Sequence, residues 1–349
     1  MYGKTMKIKV LLAASAAMLL VSCEKVSPIG VLVAGTSVED RVKMSNLYFR
    51  QHKSEELYAV AEGGDYTFLV GSDSHLTDDP TRMKEMLQNS LDHDDLLMAH
   101  LGDIADTKPE YYILLDNTIQ EGKQKYLEKY YNKITVQEDD SDDPVVYYQD
   151  KKPDKDGKLK YYRYEEIRYP FFPVVGNHDI THNGWALWSN IFHSSFYEFY
   201  VDVEGTGNFD HFIFLDSASG TLGKEQIDLI EKGVLDGRLA ADLGFNIRHT
   251  FVFSHTNIFR PSAVQVSSTF TREETYYLLD QLAEWNTTIA FCGHVHKWDE
   301  EEVGGVHYIT LDTMCEKNNP DPGDYLLRVF VKRDGTLRWE RVHMNSRKK

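Results

Sequence analysis

Five short apolar runs in this chain each break off into small or metal-ligand-type residues. YTFLV (66–70) runs into GSDSH, LLMAHL (96–101) into GD, PFFPVV (170–175) into GNHD, HTFVF (249–253) into SH, and TIAFC (288–292) into GHVH. Each run has the length and continuous apolarity of a strand buried on both faces. Helical stretches lie between some of them, at 81–93 and 224–235, and 37–53 also reads as a helix with Ser37 as its cap. Strands alternating with helices predict a layered α/β domain, in which ligands gather where strands run out into loops. Further strands are expected at 29–35, 211–216 and 306–312, and a closing hairpin at 325–344 turns at Arg333-Asp334-Gly335.

The residues at the run ends are of metal-ligand type: imidazole, carboxylate and amide oxygen are donors of intermediate hardness. Residues at i and i+2 of a strand point the same way, so Asp73/His75 and His294/His296 are expected to converge. The glycines before Asp103, Asn177 and His294 leave room for tight turns and close approach.

Taken in order, Asp73-x-His75, Gly102-Asp103, Gly176-Asn177-His178-Asp179, Val252-x-x-His255 and Gly293-His294-x-His296 resemble the motif series of the calcineurin-like metallophosphoesterases. The resemblance spans roughly residues 66–312. It implies an α/β (α+β) fold, a four-layer sandwich of two mixed β-sheets flanked by helices. It also implies two divalent or Fe/Zn/Mn-type metal ions. Asp73, His75 and His296 would hold one ion, Asn177, His255 and His294 the other, and Asp103 would bridge them. His178 would act as the general acid, oriented by Asp106 of the GDxxD pattern. A metal-activated water would then cleave a phosphate mono- or diester. Two departures narrow the class. His75 and Asp106 stand where purple acid phosphatases carry glycine and tyrosine, and Thr107 stands where protein Ser/Thr phosphatases carry arginine. His182, Trp185 and Arg260 are further candidates for substrate contact, and the remaining histidines are read as structural or solvated.

Residues 108–169 interrupt the rhythm. They hold eleven of the 21 tyrosines, the acidic stretch EDDSDDP and a hairpin pattern over 145–166 that turns near Asp156-Gly157. We read this span as an insertion, either a lip over the site or a surface excursion packed on itself. The domain is thus expected at 66–312, after a lead-in at 23–65, with 313–349 completing it as a β-hairpin.

The first residues have basic Lys4, Lys7 and Lys9, then an apolar run from Val10 to Val21 that is too short to span a membrane. The run ends in LVSC, which resembles a bacterial lipobox and implies cleavage after residue 22 and lipid attachment at Cys23. The expectation is an exported protein on a membrane surface, anchored by lipid. Loss of residues 1–22 would take the net charge from −17 to −20. Such charge argues against polymeric nucleic acid as partner, and a small phosphorylated substrate fits better. Cys292 and Cys315 show no Cys-x-x-Cys spacing, and Cys292 reads as a small buried thiol. The competing expectation is a non-enzymatic surface lipoprotein that binds metal or glycan.

Overall fold

The computed structural model of the chain describes residues 35–51, 57–137, 144–154, 156–232, 244, 246–258, 270–315 and 325–344. Residues 1–34, Cys23 among them, and Arg260 therefore lie outside the described residues. None of the described helices is long and apolar enough to cross a membrane.

Two mixed sheets form the centre. One has seven strands in the order β1 (Leu57–Ala61), β8 (Tyr197–Val203), β9 (Asn208–Phe214), β10 (Asn246–Phe253), β11 (Thr287–Cys292), β13 (Val306–Thr310) and β12 (Asp299–Val303). The other has five, in the order β15 (Leu337–His343), β14 (Tyr325–Val331), β2 (Tyr66–Gly71), β3 (Leu97–His100) and β7 (Phe171–Pro173). All five apolar runs are strands: β2, β3 and β7 pair in parallel in one sheet, and β10 and β11 in the other. The sheets pack face to face through one aromatic core, with Phe68, Leu97 and Phe172 on one side and Phe199, Phe212, Phe251, Phe253 and Phe291 on the other.

Helices cover both outer faces, because the alternate strand residues there are apolar too. Helices α2 (Thr81–Asp92), α3 (Pro109–Tyr130) and α5 (Trp185–Phe192) close the five-stranded sheet over Leu69, Met98 and Val175. Helices α1 (Val38–Gln51), α6 (Gly223–Glu231) and α7 (Arg272–Glu284) close the other over Ile213, Val252 and Ala290. The result is the four-layer sandwich that the resemblance implies. The closing hairpin β14–β15 adds to β2 in antiparallel register and widens the first sheet. Helix α1 is capped as expected, Asp40 N–H donating to Ser37 Oγ at 3.2 Å.

Phe68 sits at the middle of the aromatic core, fully buried and edge-on to Phe212, Phe251 and Phe291 at 5.4, 5.1 and 6.0 Å between ring centres. Its truncation removes contacts to both sheets at once. Phe68→Ala is expected to cost about 3–5 kcal/mol, read as a lower urea midpoint with unchanged slope.

The span 108–169 divides in two. Its first part is α3, whose Tyr112, Leu115 and Ile119 are buried in the core under the five-stranded sheet. The rest forms a small antiparallel sheet of β4 (Tyr131–Val136), β5 (Val145–Asp150) and β6 (Tyr161–Tyr162), with the expected turn closed by Asp154 N–H donating to Lys158 O. This sheet packs on itself and on the far end of α3 through Leu127, Tyr148 and Ile167. Helix α3 starts beside Asp106 and, at 22 residues, runs about 33 Å away from it. The tyrosine-rich sheet therefore stands at the opposite end from the ligand-bearing loops, and it is not a lip over them.

Candidate metal centre

The ligand-type residues of all five strand ends meet in one cluster. Asp73, His75, Asp103 and His296 form one group of converging ligand atoms, and Asp103, His255 and His294 form a second. Asp103 belongs to both. Its Oδ2 lies 3.8 Å from His75 Nε2 and 3.4 Å from His255 Nε2, between the two halves of the cluster. In the first half, His296 Nε2 is 3.1 Å from Asp73 Oδ1 and 3.2 Å from His75 Nε2. In the second, His255 Nε2 is 2.9 Å from Asn177 Oδ1.

The convergence has a different cause from strand alternation. Strands β2 and β11 end at Gly71 and Cys292, before the ligands begin. Asp73, His75, Asp103, His294 and His296 all have left-handed backbone, with φ of 51°, 41°, 51°, 69° and 58°. Such conformations cost a non-glycine residue about 1–3 kcal/mol and persist where surrounding structure imposes them. Here cross-loop hydrogen bonds do so. Asp73 N–H donates to Gly102 O, His75 N–H to Asp103 O, and Gly293 N–H to His255 O. Two glycines are required by close approach. A Cβ at Gly176 would lie 2.1 Å from Asp103 N, and one at Gly293 would lie 2.2 Å from Ser72 Oγ.

The side chains are oriented from behind. His255 Nδ1 is 2.7 Å from Leu101 O, so Nδ1 carries the proton and Nε2 is turned to the cluster. Asp73 Oδ2 accepts from Ser72 Oγ and from His294 N–H, which leaves Oδ1 facing His296. Asp103 Oδ1 accepts from His178 N–H at 2.7 Å, which leaves Oδ2 between the histidines. Asp179 is a positioning residue to which the sequence reading assigned no role. It is fully buried, and its carboxylate accepts from the N–H groups of Gly176, Ile104 and Ala105 and from Tyr112 OH. That ties the GNHD turn to the GDIAD loop. Burial, with the neighbouring Asp103 carboxylate, pushes it up to about 7.

Electrostatics fit a cation pair. Asp73, Asp103 and His255 are buried at 0–1% exposure. Burial alone would raise Asp73, but the His296 hydrogen bond and the His255 and His296 charges hold it down at about 2. Burial alone would lower His255, but the Asp103 carboxylate raises it to about 9. His75 Nε2 and His296 Nε2 lie 3.2 Å apart, with Asp103 Oδ2 3.8 Å from the first and Asp73 Oδ1 3.1 Å from the second, a group of imidazole and carboxylate donors of the kind that a metal ion draws together. The donor set therefore fits two ions of intermediate hardness.

A proton must leave His255 for an ion to bind there. Metal uptake by this half is expected to weaken about tenfold per pH unit below about 9, measured by competition with a chelating dye. The sign for metal-free protein follows too. The His255–Asp103 attraction stabilises the fold fully below the unfolded value of about 6.5 and is lost as pH rises through about 9.

The other candidates divide. His178 Nδ1 is 3.4 Å from Asp106 Oδ1, and both side chains are about half exposed at the mouth of the cluster, at 49% and 42%. His182 is exposed, with φ of 50°, on the turn after the GNHD helix α4 (Asn177–Ile180). Trp185 is not a wall of the site: it is 3% exposed, stacks on Trp188 and packs in the helix-side core. A bulky apolar residue near a motif was more simply a core residue. Of the histidines read as structural, His211 is buried on Glu198 and His193 stacks on Tyr48. His100 is fully buried with neither ring nitrogen partnered among the described residues, and burial lowers it to about 3. Cys292 is buried and in no disulfide, as expected, and its Sγ lies 3.5 Å from Ser254 Oγ.

No protein-family model and no curated protein sequence matches the chain. Solved structures to which it is similar include a dimetal phosphatase from Danio rerio, at 12% identity and a TM-score of 0.42, over 80% of this chain and 98% of that one. Another is a putative 5'-nucleotidase from Staphylococcus aureus in complex with alpha-ketoglutarate, at 14% identity and a TM-score of 0.44, over 79% of this chain and 53% of that one. A third is GAP50, the anchor in the inner membrane complex of Plasmodium, at 13% identity and a TM-score of 0.42, over 81% and 90%. Fold and cluster together define a four-layer α/β sandwich with a cluster of Asp, His and Asn side chains that could hold metal ions.

Proposed function

We propose that the protein is a binuclear metal-dependent phosphohydrolase acting on a small phosphate mono- or diester. The observation that carries this is Asp103 Oδ2, set between His75 Nε2 and His255 Nε2 where one oxygen can serve two ions. Asp73, His75 and His296 would hold one ion, and Asn177, His255 and His294 the other. When bound, such a pair supplies an acidified water and charge neutralisation for the phosphoryl oxygens.

The chain's own residues supply the rest. Asp106 faces His178 Nδ1, which leaves Nε2 to deliver a proton to the leaving oxygen. Thr107 and Thr181 hydroxyls both donate to His178 O, and His178 N–H donates to Asp103, so the acid is fixed relative to the bridge. A non-enzymatic metal carrier would need the ligands but neither His178 nor Asp106. The test is hydrolysis of aryl phosphate mono- and diesters by protein reloaded with manganese, iron or zinc. Activity that requires Asp103 supports the reading, and none with any metal contradicts it.

The same proposal places the protein on the outer side of a bacterial membrane, held by lipid on Cys23; the LVSC stretch supports this. Cys23→Ser is expected to move the protein from the membrane fraction to the soluble fraction. Unchanged partitioning would remove the anchor.

A further inference from the structure

His75 has two ring nitrogens, and only Nε2 faces the inner cluster. Its Nδ1 faces outward and meets Asp106 Oδ1 at 3.5 Å, while His178 Nδ1 meets the same oxygen at 3.4 Å. His75, Asp106 and His178 each bring a ligand atom within 4.8 Å of the others'. Hydrogen bonds between such groups run at about 2.7–3.2 Å, so both separations are too long for one. They match instead the spacing of atoms in the inner cluster, where His255 and His75 stand 3.4 and 3.8 Å from Asp103. The two rings are perpendicular, with centres 4.7 Å apart, so their Nδ1 atoms approach Asp106 from different directions.

The backbone fixes all three. Asp106 N–H donates to Leu76 O and Asp106 O accepts from Lys108 N–H, while His75 and His178 are held by the bonds to Asp103. The site opens to solvent through Asp106 and His178.

We propose that Asp106, His75 Nδ1 and His178 Nδ1 form a third, outer cation site that takes a zinc-type divalent ion. Two imidazoles and one carboxylate, with an open side for water, is a donor set that suits zinc. The site lies beside the proposed catalytic pair and shares His75 with it. With an inner ion on His75 Nε2, outer binding displaces the Nδ1 proton to solvent, so the outer site fills last.

Its effect on turnover rests on the function proposed above. An ion on Nδ1 leaves His178 one ring proton, on Nε2. The ring can give that proton up only by becoming imidazolate, so it no longer serves as an acid. Excess zinc is thus an inhibitor that works by capturing the acid dyad.

The test is equilibrium dialysis of the full chain against stepped free Zn²⁺, followed by metal analysis. Wild type is expected to take up two ions and then a third at higher free Zn²⁺, with turnover falling as the third binds. Asp106→Asn and His178→Ala are each expected to keep the first two and lose the third. Both residues are about half exposed, and agreement between them guards against misfolding in either. A plateau at two ions, or a third that survives both substitutions, overturns the outer site and leaves the inner pair standing. Failure of the inner pair reads differently: a single ion, lost in both variants, leaves the outer site standing alone.

Discussion

Asp103→Asn is expected to reduce hydrolysis at least about 10³-fold and to remove the ability to hold two ions together. Among the described residues, its Oδ2 is the carboxylate oxygen placed between the two halves of the cluster. An amide oxygen there binds cations less well and brings no charge to offset them. The neighbouring histidines hold Asp103 well below the usual carboxylate range against the push of burial, so at any working pH the wild-type residue is an anion. The magnitude follows from the stabilisation that metal and fixed charge give to a developing phosphoryl anion, several kcal/mol where each 1.36 kcal/mol is about tenfold. Metal content measured alongside turnover separates loss of the ions from loss of chemistry. A variant that keeps two ions and near-normal turnover would show that Asp103 does not bridge.

His178→Ala is expected to behave differently. The ring is not among the inner ligands, and it stands at the mouth with Asp106 behind it. The first two ions should bind as before, while kcat falls by about 10²–10⁴, the usual worth of a positioned proton donor. The loss should shrink for esters with acidic leaving groups, such as nitrophenol, which depart without a proton. An equal loss for every leaving group would assign His178 to phosphate binding.

Much of this centre was legible in the chain. The apolar runs reveal themselves by length and by the polar residues that stop them, and each proved to be a strand aimed at one place. What the sequence could not show is how the ligands turn inward. Asp73-x-His75 and His294-x-His296 read as strand alternation, but both pairs lie past their strands in left-handed backbone. Nothing in an Asp or His announces that conformation, because cross-loop hydrogen bonds from distant residues impose it. Thr313 is a similar case: its hydroxyl donates to Asp73 O across 240 residues, with no local signal. Asp179 was more accessible, as the fourth member of GNHD, although its partners Ile104, Ala105 and Tyr112 sit about 70 residues away.

The span 108–169 was the hardest to read. Tyrosines crowd both a core helix and a surface sheet there, so composition cannot separate them. Helix α3 does carry Tyr112, Leu115 and Ile119 at helical spacing, but exposed Ile113 and half-buried Tyr111 blur the stripe. Trp185 shows the converse, a residue close to the motif in sequence whose ring packs away from it against Trp188.

The central claim is that one carboxylate joins two ions. Anomalous diffraction from crystals of manganese- or zinc-loaded protein tests it directly. Two peaks about 3.5–4 Å apart are expected, one beside Asp73, His75 and His296, the other beside Asn177, His255 and His294, with Asp103 on both. A single peak, or two peaks that Asp103 does not join, would contradict it.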